Sequence, residues 1–154
     1  MRITLLTNGV LLTPANWERI SNAQYAIDTI SISVDTAAKE TYNKIRRGSN
    51  FDILLNNLKL LSELKKNKDL KLKVTFVMQK QNYKEMPAFV KLMKKYSVDG
   101  FYFQKVINHR TYTEEEFRRA DVRRKDHPGH EAFLEILRNP ALKQPGITIQ
   151  MKHL

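Results

Sequence analysis

The chain has 154 residues, 27 lysines and arginines against 16 aspartates and glutamates, and a formal charge of +11. That length suits one domain with a buried core. No apolar run approaches a membrane-crossing helix, and polar residues interrupt the first apolar stretch too early for a secretory signal. A cytoplasmic protein with no membrane contact is expected. With no cysteine present, disulfides, thiolate catalysis and cysteine-ligated metal or iron–sulfur centres are excluded for this chain by itself. The charge permits attraction to polyanions and says nothing about fold.

Residues 2–7 (RITLLT) read as a short strand, and Asn8-Gly9 supplies the turn after it. Thr13 with Pro14 is an N-cap followed by a favoured first helical residue, predicting a helix over 14–22. From Thr29 the residues alternate: Ile30, Ile32 and Val34 on one face, Ser31, Ser33 and Asp35 on the other. This is the period of a strand. A short helix over 37–43 follows, for which Asp35 is a candidate cap. Gly48-Ser49-Asn50 then breaks the chain, and Ser49 or Asn50 caps a long helix. Phe51, Leu54, Leu55, Leu58, Leu61 and Leu64 form its buried stripe, with Lys65, Lys66 and Lys68 at its C-terminal end.

Leu70, Leu72, Val74, Phe76 and Met78 mark a third strand. Asn82 with Glu85 resembles a capping box ahead of a helix whose apolar face is Met86, Phe89, Val90 and Met93. A fourth strand runs over 99–106, with Gln104 and Lys105 on opposite faces, so that one of them lines a cavity. Strands and helices thus recur at about thirty residues, the span of a βαβ unit with parallel strands and right-handed crossovers. Beyond His109 the spacing predicts a helix capped by Thr113 and Glu116, another over 130–138 and a closing strand over 147–151. The stretch RRADVRRKDHPGH between those helices reads as polar and exposed. The expected architecture is one domain over 1–154, with βα repeats over 1–109 and C-terminal helices and a strand over 110–154.

Ligand-binding groups of parallel α/β proteins gather at the carboxyl ends of strands. Asp35 is therefore expected at the rim of a site, with Arg46 or Arg47 able to fold back towards it. His127 and His130 in HPGH lie close together, but no third ligand has suitable spacing, and Pro128-Gly129 reads as a turn. No phosphate loop, dinucleotide glycine pattern or catalytic triad grouping is present.

The ordered segments TNG (7–9), SISVD (31–35), ETYNKIRRGSNF (40–51) and TFVMQKQN (75–82) resemble radical S-adenosylmethionine enzymes, covering about residues 1–109. The resemblance implies an α/β fold of parallel βα repeats forming part of a (β/α)6 partial TIM barrel. It also implies S-adenosylmethionine as cofactor, with a [4Fe–4S] cluster in the parent enzyme that reduces and cleaves the sulfonium. The family's CxxxCxxC loop and GGEP motif are both missing, so this chain ligates no cluster. It is expected to be part of a radical SAM enzyme, inactive alone, with a missing barrel segment or partner chain supplying the rest. No catalytic residue and no metal ligand is assigned.

Carried over residue by residue, Ser33 and Asp35 match the fourth-strand position that contacts the ribose or methionine part of the cofactor, and Thr7 matches a third-strand polar position. Arg46 matches an arginine that pairs with the cofactor's carboxylate, a role suited to a guanidinium fork. Arg47 competes for it. Each has a plainer reading: Ser33 as small barrel filling, Asp35 as a helix cap, Arg46 as a solvated charge and Thr7 as part of the turn.

The alternative is a stand-alone basic binding module for a polyanion such as nucleic acid, resting on the charge and on Arg118, Arg119, Arg123, Arg124 and Lys125. Aromatic residues are not interleaved there, which argues against single-strand binding. Finally, the resemblance implies that the strand at 2–7 would have lost its barrel neighbour. Its edge is expected to pair with another copy, a partner or the chain's own C-terminal segment.

Overall fold

The computed structural model describes residues 2–151. Five strands, β1 (Ile3–Thr7), β2 (Ile27–Ser33), β3 (Lys71–Met78), β4 (Gly100–Lys105) and β5 (Ile147–Ile149), form one sheet in sequential order, with every neighbouring pair parallel. Between them run α1 (Pro14–Arg19), α2 (Lys39–Ile45), α3 (Phe51–Lys65) and α4 (Met86–Lys94). Two more helices, α5 (Glu114–Ala120) and α6 (His130–Leu137), lie between β4 and β5. This is the expected α/β fold of parallel βα repeats.

The two faces of the sheet differ in chemistry because the strands alternate. Ile30, Ile32 and Val34, then Leu72, Val74, Phe76 and Met78, then Phe101 and Phe103 lie on the helix-covered face and are buried. They meet Leu54, Leu58 and Leu61 of α3 and Met86, Phe89, Val90 and Met93 of α4 in one apolar cluster. Phe76 and Phe89 touch edge to face, with ring centroids 4.9 Å apart. Burial of this much apolar surface is the main favourable term in folding. On the opposite face the register aligns Ser31 with Lys73 and Ser33 with Thr75, and places Tyr102 beside Thr75 and Gln104 beside Val77. None of these residues belongs to the apolar core.

Three of the six helices among the described residues start on a local side-chain cap. Thr13 caps α1 with Pro14 following, Asn50 caps α3 through the N–H groups of Asp52 and Ile53, and Thr113 with Glu116 closes a full capping box on α5. The Thr113 N–H holds the Glu116 carboxyl below its ordinary value. The Asn82–Glu85 box does not form. A 3-10 turn, Tyr83–Glu85, separates Asn82 from α4, and neither Asn82 nor Glu85 caps that turn or α4 through its side chain. α1 also ends earlier than its pattern suggests, at Arg19.

Residues 120–130 are not an exposed polar loop. Ala120, Asp121, Val122, Arg123, His127 and His130 are all buried. Arg123 binds Asp121 through Nε at 2.8 Å and Nη2 at 2.7 Å, a bidentate pair that makes burial of both charges tolerable. β1 and β5 form the two edges, so the C-terminal strand extends the sheet beside β4 and does not cover β1. Leu6 stands 75% exposed on β1. No helix among the described residues is long and apolar enough to cross a membrane.

The turn after β1 gives a stability test. Gly9 and Gly48 share φ +79°, but a Cβ on Gly9 would lie 2.7 Å from Leu54 Cδ1 and 2.9 Å from Ile32 Cγ2, whereas Gly48 has nothing within 4 Å. Gly48→Ala should lose about 1 kcal/mol from left-handed backbone alone. Gly9→Ala should lose at least about 1 kcal/mol more through overpacking. Urea unfolding midpoints measure both, and equal losses would contradict the packing account.

Candidate functional site

The carboxyl ends of β2 and β3 meet around one carboxylate. Asp35, two residues beyond β2, adopts left-handed backbone with φ 69°, which aspartate tolerates better than most side chains. Its Oδ1 accepts the Val77 N–H at 2.7 Å, its Oδ2 accepts from Arg46 Nη2 at 2.6 Å, and its carbonyl accepts from Asn82 Nδ2 at 2.8 Å. The Asp35 side chain is 6% exposed and that of Arg46 22%, so the pair is shielded from bulk water. Arg46 is the residue that closes α2, which turns its side chain back over the strand end. Arg47, one position on, is exposed. The fold-back expected of one arginine is thus made by Arg46, whose Nε is buried without a hydrogen-bond partner.

A second carboxylate reaches across in the opposite sense. Glu85 Oε2 accepts the N–H groups of Ala37 at 2.8 Å and Ala38 at 3.1 Å, and both its oxygens receive threonine hydroxyls, from Thr36 and Thr41. α2 has no side-chain cap of its own, since Ala38 occupies that position. Glu85 therefore holds the segment leading into α2, through two backbone N–H groups and two threonine hydroxyls. Asp35, a candidate for that cap, is turned towards Val77 and Arg46. Asn82, freed from capping, bonds the carbonyls of Asp35 and Val77.

The remaining sequence-predicted residues separate by face. Ser33 lies on the open face, and Thr75 Oγ1 donates to its hydroxyl at 3.1 Å. Thr7 is in register with Ile32 on the helix-covered face, where its Oγ1 accepts the Gly9 N–H at 3.0 Å. Gln104 shares the open face beside Val77, while Lys105 lies in register with Met78. Asn57, hidden in the apolar stripe of α3, donates to the carbonyls of Gly9 and Val10, each at 2.9 Å, and fixes the turn after β1.

Two neighbouring cavities of ≈ 690 and ≈ 620 Å³ adjoin the ends of β4 and β3, and both are lined by Arg124 and Asp126. Arg124 hydrogen bonds to Asp126 at 2.9 and 3.0 Å and holds that carboxyl below its ordinary value. His127 and His130 are buried and bonded to main chain, to the carbonyls of Arg119 and Val122 respectively. Among the described residues no three His, Cys, Asp or Glu side chains are grouped to hold a metal ion.

Removing the Asp35 carboxylate should unmask its role as a clamp. Asp35→Ala leaves Arg46 and the Val77 N–H unpaired, and should cost about 3–5 kcal/mol. Asp35→Asn keeps an acceptor for Val77 and tolerates the left-handed backbone, so its loss should be smaller, about 1–3 kcal/mol. Equal losses in urea unfolding would mean that the Val77 hydrogen bond contributes nothing beyond the lost ion pair with Arg46.

Residues 1–93 match the profile of the Radical SAM superfamily. No curated protein matches the chain. Among solved structures, SuiB from Streptococcus suis and the same protein bound to S-adenosylmethionine each align with TM-score 0.58 and 20% identity, over 74% of this chain and 25% of theirs. SuiB bound to its precursor peptide SuiA aligns with TM-score 0.53 and 20% identity, over 68% and 22%. At that identity the likeness concerns the fold, and the chain spans about a quarter of the SuiB chain's length. With the profile matching well over half of its residues on a sheet of parallel βα units, the chain belongs to the radical SAM superfamily.

Proposed function

We propose that this chain forms an S-adenosylmethionine-contacting flank of a radical SAM barrel, and that the cluster ligands of the working enzyme come from outside these 154 residues. The observation that carries the reading is the Ser33–Thr75 hydroxyl pair. It lies on the open polar face and is bordered at the strand ends by the buried Asp35–Arg46 pair. SuiB, which shares the fold, has been solved with S-adenosylmethionine bound.

The residues fit that cofactor. The Ser33 hydroxyl retains its own proton as a donor when Thr75 donates to it, and a hydroxyl that both donates and accepts suits a ribose diol. The Arg46 side chain stays 22% exposed with one terminal nitrogen on Asp35, so the rest of its guanidinium fork is a donor for the cofactor's carboxylate. Both Asp35 oxygens are engaged, so Asp35 positions Arg46 and holds β3 while Arg46 meets the ligand. Thr7, bonded to Gly9 on the other face, stays with its turn. Bound beside a reduced cluster, S-adenosylmethionine supplies radical initiation. The cluster does not fit this chain, because cysteine is missing from the sequence.

The exposed edge of β1 completes the picture. In this reading a further strand, from another segment, a partner chain or a second copy, continues the sheet there.

Isothermal titration with S-adenosylmethionine tests the proposal. The wild-type chain should bind, and Ser33→Ala should weaken binding about fivefold, the equivalent of one hydrogen bond of about 1 kcal/mol. Unchanged affinity in Ser33→Ala would overturn the site. Anaerobic reconstitution with iron and sulfide should leave this chain without cluster absorbance, and a stoichiometric [4Fe–4S] spectrum would refute the division of labour.

A further inference from the structure

Positive charge stands unbalanced in the ≈ 620 Å³ cavity between the loop after β3, helix α5 and residues 124–129. Lys80, Lys84, Arg118, Arg119 and Arg124 line it, against the carboxylates of Glu115 and Asp126. Both carboxylates are already held, Glu115 by Arg119 and Asp126 by Arg124. Lys80, Lys84 and Arg118 have no carboxylate partner among the described residues. Lys84 instead lies over the Tyr83 ring, 5.9 Å from its centroid.

A chain of charge +11 carries many solvated lysines, so cations on a surface mean little by themselves. This group differs in lining a concavity whose volume lies in the range of small-molecule sites. Its walls are also tied together. The Lys80 N–H donates to the Ala120 carbonyl at 2.9 Å, which fixes the loop after β3 to the end of α5. The Gly129 N–H donates to His127 Nδ1 at 2.9 Å. The His127 proton therefore resides on Nε2, which donates to the Arg119 carbonyl at 3.0 Å. Tyr83, part of the lining, packs edge-on against Phe133 of α6. The cations are thereby presented from a backbone fixed before any ligand arrives, which lowers the ordering cost of binding.

The charge balance selects the ligand. One carboxylate would neutralise one of the three unpaired cations, whereas a phosphate monoester carries about −1.5 to −2 at neutral pH. Phosphoryl oxygens also accept several charge-assisted hydrogen bonds at once. We propose that this cavity binds a phosphate-bearing small molecule, with Lys80, Lys84 and Arg118 on its phosphoryl oxygens. None of these residues belongs to the cofactor site above, so the two readings stand or fall separately.

Pyrophosphate is the probe. Calorimetric titration at about 0.15 M ionic strength should show binding to the 154-residue chain. The double variant Lys80→Ala, Arg118→Ala should bind at least about tenfold more weakly with an unchanged circular dichroism spectrum. Glu115→Gln, an isosteric change on an exposed side chain, releases Arg119 and should tighten binding. This second variant decides the matter if the double variant fails to fold. Undetectable binding to the wild type, equal affinity in the double variant, or no tightening in Glu115→Gln would overturn the proposal. Tighter capture of a single-stranded oligonucleotide through the same residues would also overturn it, assigning the cavity to nucleic acid.

Discussion

A carboxylate held between a backbone N–H of β3 and a guanidinium at the end of α2 fixes where three segments of this chain meet. Asp35 follows β2, Val77 belongs to β3, and Arg46 ends α2, the first of the two helices between them. Burying that carboxylate in left-handed backbone is unfavourable by itself, and it persists because every oxygen of the residue has a donor. Glu85 makes the reciprocal crossing, from the segment after β3 to the start of α2. The connection after β2 thus satisfies a backbone N–H of β3, and the connection after β3 satisfies backbone groups ahead of α2. Neither loop can shift without stranding buried polar atoms, and this rigidity gives a strand-end rim the geometry that ligand binding requires.

The same two crossings show where sequence reasoning stops. Strand alternation and helical spacing are local signals, so the five strands, the long helix and the caps at Thr13, Asn50 and Thr113 were legible in the residues themselves. Glu85 carried a local signature too, three positions after Asn82. A partner 44–49 residues away in the chain won because it offered four donors where the local box offered one. Asn57 was invisible for a related reason: a polar residue in an apolar stripe reads as noise until the turn it holds is brought against it. The segment 120–130 misled through composition, since its Asp121–Arg123 pair is buried by bidentate bonding that only the fold reveals.

Of the candidate cofactor residues, the association of Asp35 with an arginine was legible, because a carboxylate ending one strand and arginines closing the next helix come to the same end of a parallel sheet. The face occupied by Thr7 was not. Its strand is short and has a register irregularity at Ile3/Thr4, so alternation alone could not say which side its last residue takes.

The charge of the chain is divided along the same lines. At the Asp35 rim each charge is engaged within the protein, and the Arg46 guanidinium donates to its own carboxylate before any ligand is considered. Around α5 the acidic side chains pair locally, Glu115 with Arg119 one turn on, and leave neighbouring cations without partners. Under the two proposals, the neutralised rim would select by hydrogen-bond geometry, whereas the unbalanced cavity would select by charge and lose affinity as salt rises. The two strand-end regions thus differ in charge, and the difference follows from whether a carboxylate reaches each cation across the fold.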